Sequence, residues 1–210
     1  MKTIIYIVRH GESEHNRDNI LSGHVNPALT EKGRLQALQT REELSHIKFD
    51  EAYSSDLQRA AHTGALIYGQ EIHSSHQLTD LRERNYGALD GADNDVYVAL
   101  KRGNHDLLAK LDEAERWLFK HAPDIESDHE LSSRFISAIT KIAENNSGKT
   151  ILIAAHGGVI RTMLIKLGYA TPAELPSQTI DNAAYVELDY ARGKLTIGAT
   201  SGVNKLPNQT

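Results

Sequence analysis

The sequence predicts an α/β fold: a three-layer sandwich with a mostly parallel central sheet, an antiparallel edge hairpin and a helical insertion. Three observations carry this. Short β-branched and apolar runs alternate with segments of helical periodicity, as in parallel strands joined by crossover helices. Two of those runs end in His-Gly, "YIVRHGES" and "LIAAHGGV", so each stops in a polar turn of the kind that binds ligands at the carboxyl edge of an open sheet. Near the end of the chain, "AAYVELDY" and "KLTIGAT" alternate in polarity and bracket "ARG", the pattern of a hairpin.

The elements follow in order. Thr3 to Val8 is β-branched and aromatic, a buried strand. "SGHVNPALTEKG" is a loop rich in Gly, Asn and Pro. Thr30 is placed to cap a helix over about 31–46. "FDEAYSS" (49–55) reads as a short strand and turn. Ser55 or Asp56 is placed to cap a helix over 57–69, ended by Gly69. "EIHSSHQL" (71–78) reads as a third strand, and 92–128 as a helical insertion with Leu107, Leu108, Leu111, Trp117 and Leu118 available for packing. A helix covers about 129–145, and "KTILIAAHGG" (149–158) is the strongest strand in the chain. It feeds a helix over 159–168, ended by Gly168, before the closing hairpin. The tail "NKLPNQT" is expected to be loose. No repeat interrupts this order, so residues 1–210 read as a single domain.

Composition bounds the function. Hydrophobic residues make up 40% of the chain and charged residues 24%, a globular balance with enough apolar material for a sizeable core. There are no cysteines, which removes disulfides, thiolate zinc sites and cysteine nucleophiles. The first apolar run is too short for a secretory leader, and no segment approaches the roughly 18 apolar residues of a membrane helix. A cytoplasmic protein with no membrane partner is expected. The net charge of −5 offers no general attraction for nucleic acid. A phosphorylated ligand would need a local basic pocket to overcome that mild repulsion.

Most of the 11 histidines are expected to be incidental. His10 and His156 differ, because each ends a strand and precedes a glycine, which lets backbone approach a ligand closely. A metal site is disfavoured. His10 and His15 are five apart in a turn, one residue too many for a helical His-Glu-x-x-His pair, and the Arg9 guanidinium would repel a cation. An anion suits the charge better. Arg9, Arg59, His10 and His156 would enclose a phosphoryl dianion, and nearby cations favour the neutral, nucleophilic form of an imidazole. "DLRERNYGALDG" (80–91) offers Asp80, Glu83 and Asp90 as proton donors to a leaving oxygen, and spacing does not choose among them.

Taken together, "VRHGESEHN", "GHVNPALTEKGRLQA", "SSDLQRAAHTGALI", "LRERNYGALDG" and "AAHGGVIRTML" resemble, in order and spacing, the motifs of the histidine phosphatase, or phosphoglycerate mutase-like, superfamily. The resemblance spans nearly the whole chain. It implies that His10 is a nucleophile that becomes phosphohistidine. It implies that Glu83 is the acid and base, and that Arg9, Arg59 and His156 hold the phosphate. Asn16 would add a side-chain amide. Ser22, Gly23, His24, Tyr86 and Gly157 fall where the family shapes its substrate pocket. No metal and no cofactor are implied, and the expected partner is a small phosphorylated substrate; a homodimer is compatible with the family.

Within the family the sequence favours a phosphatase over a 2,3-bisphosphoglycerate-dependent mutase. "LRERNYGALDG" and Tyr86 look mutase-like. Against that, Asn94 stands near the place of a mutase lysine, and no arginine pair occurs where mutases bind the substrate carboxylate. Lys101-Arg102 falls too early for that pair. The chain also reads His156-Gly157-Gly158 where mutases read His-Gly-Asn. The insertion is acidic as well (Asp106, Asp112, Glu113, Glu115), a poor cover for a highly anionic intermediate. A regulatory protein phosphatase and a phosphate-binding pseudoenzyme are the remaining alternatives.

Overall fold

The structure is a computed structural model describing residues 1–207. Its sheet has six strands: β1 (Thr3–Arg9), β2 (Glu51–Ser55), β3 (Gln77–Leu78), β4 (Thr150–Ala155), β5 (Ile180–Ala191) and β6 (Lys194–Val203), in the order β3-β2-β4-β1-β5-β6. β1, β2, β3 and β4 run parallel, and β5 and β6 close one edge antiparallel. The eight helices are α1 (Glu14–Arg17), α2 (Glu31–Glu43), α3 (Gln58–Tyr68), α4 (Asn94–Gly103), α5 (His105–Leu108), α6 (Glu113–Leu118), α7 (Asp128–Asn145) and α8 (Gly157–Lys166).

Strand alternation makes three layers. Ile5 and Ile7 of β1 and Ile151 and Ile153 of β4 face α7 and α8, meeting Phe135, Ile139 and Met163. Tyr6, Val8 and Leu152 face the other way, onto Ala37 of α2 and Ile67 of α3. The central strands are thus apolar on both faces, as parallel strands between two helical layers must be. Each large side chain buried there contributes about 1.5–3 kcal/mol.

The expected boundaries mostly hold, and the departures have local causes. Residues 71–76 are not strand. The His73 side chain accepts from the Ser75 N–H and turns the chain into a 3-10 turn over Ser74–His76, leaving a two-residue β3. Neither Ser55 nor Asp56 is the cap of α3. Leu57 occupies that place, and the Ser55 hydroxyl accepts from the Leu57 N–H instead. Leu107 and Leu118 do not join a core; they are 49% and 58% exposed. The start of the tail is tied down, because Asn204 N–H donates to Thr179 O and Leu206 N–H to Glu174 O. The rest of that tail, 208–210, lies outside the described residues.

One contact fixes the turn after β1. The N-terminus of α2 packs backbone to backbone on it, and a Cβ on Gly33 would lie 2.0 Å from Glu12 O. The Thr30 side chain caps α2 on Gly33 N–H and also donates to the Glu12 carboxylate. Gly33→Ala is therefore expected to cost about 1–3 kcal/mol, since neither backbone has room to retreat. Urea unfolding would show this as a lower midpoint, and an unchanged midpoint would mean the helix can shift freely.

Candidate active site

Sheet register brings the two His-Gly turns together. Arg9 pairs with Ala155 at the ends of β1 and β4, so the next residues, His10 and His156, are neighbours. Their rings lie 5.2 Å apart, edge to face. Both are buried, and so is Arg59 of α3, which is fully inaccessible.

Two hydrogen bonds define the state of His10. Its Nδ1 lies 2.7 Å from Gly11 O, an acceptor, so Nδ1 carries the proton. Its Nε2 lies 3.3 Å from Arg59 Nε, a donor, so Nε2 presents a lone pair. Burial first, then Arg59 and Arg9, hold the His10 pKa well below the ordinary 6.5. His156 is depressed for the same reasons, burial foremost and then Arg59, and neither of its ring nitrogens has a hydrogen-bond partner among the described residues. Arg59 has no carboxylate partner among the described residues. It donates to Val25 O at 2.7 Å and Gly23 O at 2.8 Å, and burial pulls its pKa down to about 10.

Beside His10, Arg9 donates one nitrogen to Ile180 O and keeps a buried Nε unpartnered. Asn16 accepts on Oδ1 from Ser13 N–H at 3.1 Å, which leaves its amide nitrogen as a donor toward the cavity. The His10 carbonyl accepts from Ala183 N–H and from Asn182 Nδ2. Ala183 reaches it in a left-handed conformation (φ 61°), local strain of about 1–2 kcal/mol.

Of the three acidic candidates, only Glu83 enters the site. Its oxygens accept from Arg84 N–H and Gly158 N–H, each at 2.7 Å, the second at the N-terminus of α8. A Cβ at Gly158 would lie 2.3 Å from Glu83 Oε1, so the bare glycine makes this seat available. Arg134 of α7 gathers the carbonyls of Asp80, Arg82 and Glu83, and His24 Nε2 donates to Glu83 O. Asp90 is a loop clamp, accepting from the N–H groups of Gly23, His24 and Val25. Asp80 is exposed.

A cavity of about 380 Å³ opens over this cluster. His10, Arg9, Glu83, Asn16, Ser22, Tyr86 and Gly157 line it. Arg59 and His156 lie beneath His10, and Gly23 and His24 hold the loops behind the wall. Sequence reasoning missed His15, Tyr97, Lys101, His121 and Arg161, which also line the cavity. His15 donates or accepts at Ser22 Oγ (2.7 Å), a contact its position in a charged turn did not announce. The Lys101-Arg102 pair splits, Lys101 facing the cavity and Arg102 solvent. Asp106, Asp112, Glu113 and Glu115 are exposed and none of the four lines the cavity, whereas Asp128 at the end of the same segment does.

The family model of the histidine phosphatase superfamily (branch 1) matches residues 5–201. The chain belongs to the histidine phosphatase superfamily. It is 33% identical over 190 residues to a 2,3-bisphosphoglycerate-dependent phosphoglycerate mutase of Bartonella henselae, covering 86% of this chain and 88% of that relative. It is 26% identical over 196 residues to the uncharacterized phosphatase PhoE of Bacillus subtilis (strain 168), covering 93% and 92%. The crystal structure of phosphoglycerate mutase from Bacillus anthracis superposes with a TM-score of 0.79 at 26% identity, over 96% of this chain and 93% of that one. This histidine phosphatase superfamily member is thus an enzyme, with mutases and phosphatases both among its relatives. Among the described residues no helix is long and apolar enough to cross a membrane.

The depressed imidazoles of this enzyme tie stability to pH. A histidine whose folded pKa lies below its unfolded value binds more protons when unfolded. Stability is then complete above about pH 6.5 and falls as pH drops below it, by up to about 1.4 kcal/mol per unit for each group. Urea midpoints across pH 7 to 5 should fall less steeply in His156→Gln than in the native chain. Equal slopes would show that His156 is not held neutral.

Proposed function

We propose that the enzyme hydrolyses small phosphomonoesters through a covalent phosphohistidine on His10, with Glu83 as general acid and base. The observation that supports this is the unprotonated His10 Nε2, buried between the cations Arg59 and Arg9 at the floor of a cavity. Its lone pair attacks phosphorus, the P–N bond forms and the ester P–O bond breaks. Arg9, Arg59, Asn16 and His156 stabilise the phosphoryl oxygens. Glu83 protonates the leaving oxygen. As a carboxylate it then takes a proton from water attacking phosphorus, and the P–N bond breaks to release inorganic phosphate.

A second reading is transfer between hydroxyls of a phosphoglycerate, the reaction class for which the Bartonella relative is named. The cations Lys101 and Arg161 in the cavity wall favour it. Gly158 and Asn94 favour hydrolysis, since neither supplies an added contact to retain a bisphosphorylated intermediate.

His10→Ala is expected to abolish turnover and keep the native circular dichroism. The quenched native enzyme should carry an acid-labile, base-stable phosphate on His10. Phosphate release should outrun phosphoglycerate interconversion in one assay across a panel of esters; faster interconversion would replace this reading with the mutase.

Gly158→Ala separates the role of Glu83 from fold. The new methyl displaces the carboxylate from its seat while favouring the helix. The melting temperature should hold and kcat fall by about 10²-fold or more, the range of a general acid. Full activity would mean that Glu83 works from some other position.

A further inference from the structure

The start of β5 carries a distortion that pairing within the sheet does not require. The β5–β6 ladder slips between Ile180 and Tyr185, and Ala183 inside that bulge is left-handed (φ 61°) without being a glycine. Groups outside β6 hold the bulge in place. Arg9 donates to Ile180 O, the Thr40 hydroxyl of α2 donates to Ala183 O at 2.9 Å, and Ala183 N–H donates to His10 O at 3.3 Å. Bulges of this kind re-aim a side chain, and backbone strain kept beside a site has a use there.

The side chain so aimed is Asn182. Its Nδ2 lies 3.2 Å from His10 O and 3.3 Å from Asn16 Oδ1. Both partners are acceptors, so the two hydrogens of one amide nitrogen are shared between the carbonyl of His10 and the side chain of Asn16. Asn16 Oδ1 also accepts from the N–H and the hydroxyl of Ser13, each at 3.1 Å. Those two bonds lie within the cap of α1, and they fix Asn16 relative to α1 only. This four-residue helix buries no side chain, so it has no core contact of its own to set its distance from His10. Asn182 supplies that reference. It does not line the cavity, so it acts through the groups it holds.

We propose that Asn182 is a positioning residue that ties the amide of Asn16 to the backbone of His10. This rests on His10 as the phosphoryl acceptor and on Asn16 as a donor to the phosphoryl oxygens. With Asn182 in place, three donors converge on Asn16 Oδ1, and Asn16 Nδ2 faces the cavity at a fixed distance from the nucleophile. Without it, α1 carries Asn16 independently of the His10 turn, and the donor is misplaced when the phosphoryl group transfers.

The test reads single-turnover formation of phosphohistidine at saturating ester, using p-nitrophenyl phosphate, glycerol 3-phosphate and 3-phosphoglycerate. It compares the native chain with Asn182→Ala, Asn16→Ala and the double variant. Asn182→Ala should slow adduct formation about tenfold or more on every ester that reacts, because the misplaced donor serves the phosphoryl group they share. In the Asn16→Ala background the same change should cost less than about twofold, because the group it acts through is gone. Losses that multiply in the double variant would show Asn182 supporting only the backbone, and would overturn the proposal. Asn182→Asp keeps the shape but sets acceptors against His10 O and Asn16 Oδ1. It should lose at least as much as Asn182→Ala, and it carries the test if Asn182→Ala fails to fold. A native rate in either variant, with the adduct on His10, rejects the positioning role alone. No adduct in the native chain with any ester rejects the His10 reading and the positioning role with it.

Discussion

The site depends on a buried guanidinium with no counterion. Arg59 is sealed from solvent, and its hydrogen bonds run to three carbonyls of the 22–25 loop and to His10 Nε2. An isolated charge in that position costs several kcal/mol unless every donor is used. Using them on Ser22, Gly23 and Val25 fastens that loop over α3. Using the Nε donor on His10 dictates which ring nitrogen keeps its lone pair. One side chain therefore sets the position of the 22–25 loop, the His10 tautomer and the positive charge beneath His10 together.

The rest of the fold supplies rigid walls for that choice. Parallel pairing of β1 with β4 places His10 and His156 side by side without any loop having to find its partner. Backbone contact between Gly11 and Gly33 then leaves the His10 turn no room to drift. Arg134 collects the carbonyls of Asp80, Arg82 and Glu83, and α8 offers the free N–H of Gly158 to the Glu83 carboxylate. The strained Ala183 is the counterpart on the other side, bending the start of β5 so that it closes over the His10 carbonyl.

What was legible in the sequence follows from what is local. β1 and β4 could be read because their apolar runs are long and two-sided, and His10 and His156 because each ends such a run. Glu83 was one of three carboxylates in a charged loop. Only the family resemblance preferred it, and the difference is tertiary: Asp90 spends both oxygens on the 23–25 backbone, while Asp80 stays in solvent. Lys101 and Arg161 were not legible as a pair. They are 60 residues apart on helices whose phase relative to the cavity depends on packing, and Lys101 adjoins an exposed arginine that makes the two look alike. The 71–78 strand failed for a local reason, since His73 and the serines after it satisfy one another's backbone groups in a turn.

The distribution of charge sets a local basic pocket within an acidic chain. Net charge is −5, yet Asp106, Asp112, Glu113 and Glu115 of the 92–128 segment are exposed, while that segment turns Lys101, Tyr97 and Asn94 toward the cavity. Screening by salt weakens the outer field within about 8–10 Å, so those surface carboxylates hardly reach the buried cations. Inside, the low dielectric leaves Arg9, Arg59, Lys101 and Arg161 with interactions that solvent would have erased. Like charges therefore gather at the cavity: Arg9, Arg59, Lys101 and Arg161 have no carboxylate salt-bridge partner among the described residues, the two histidines are held neutral, and the Glu83 carboxylate is held by backbone N–H groups. On the reading proposed for this site, a phosphoryl dianion would neutralise the inner cations as it binds. On that reading, binding and leaving-group protonation use groups that the fold itself holds in place: Arg59 by the 22–25 carbonyls and Glu83 by the Arg84 and Gly158 N–H groups.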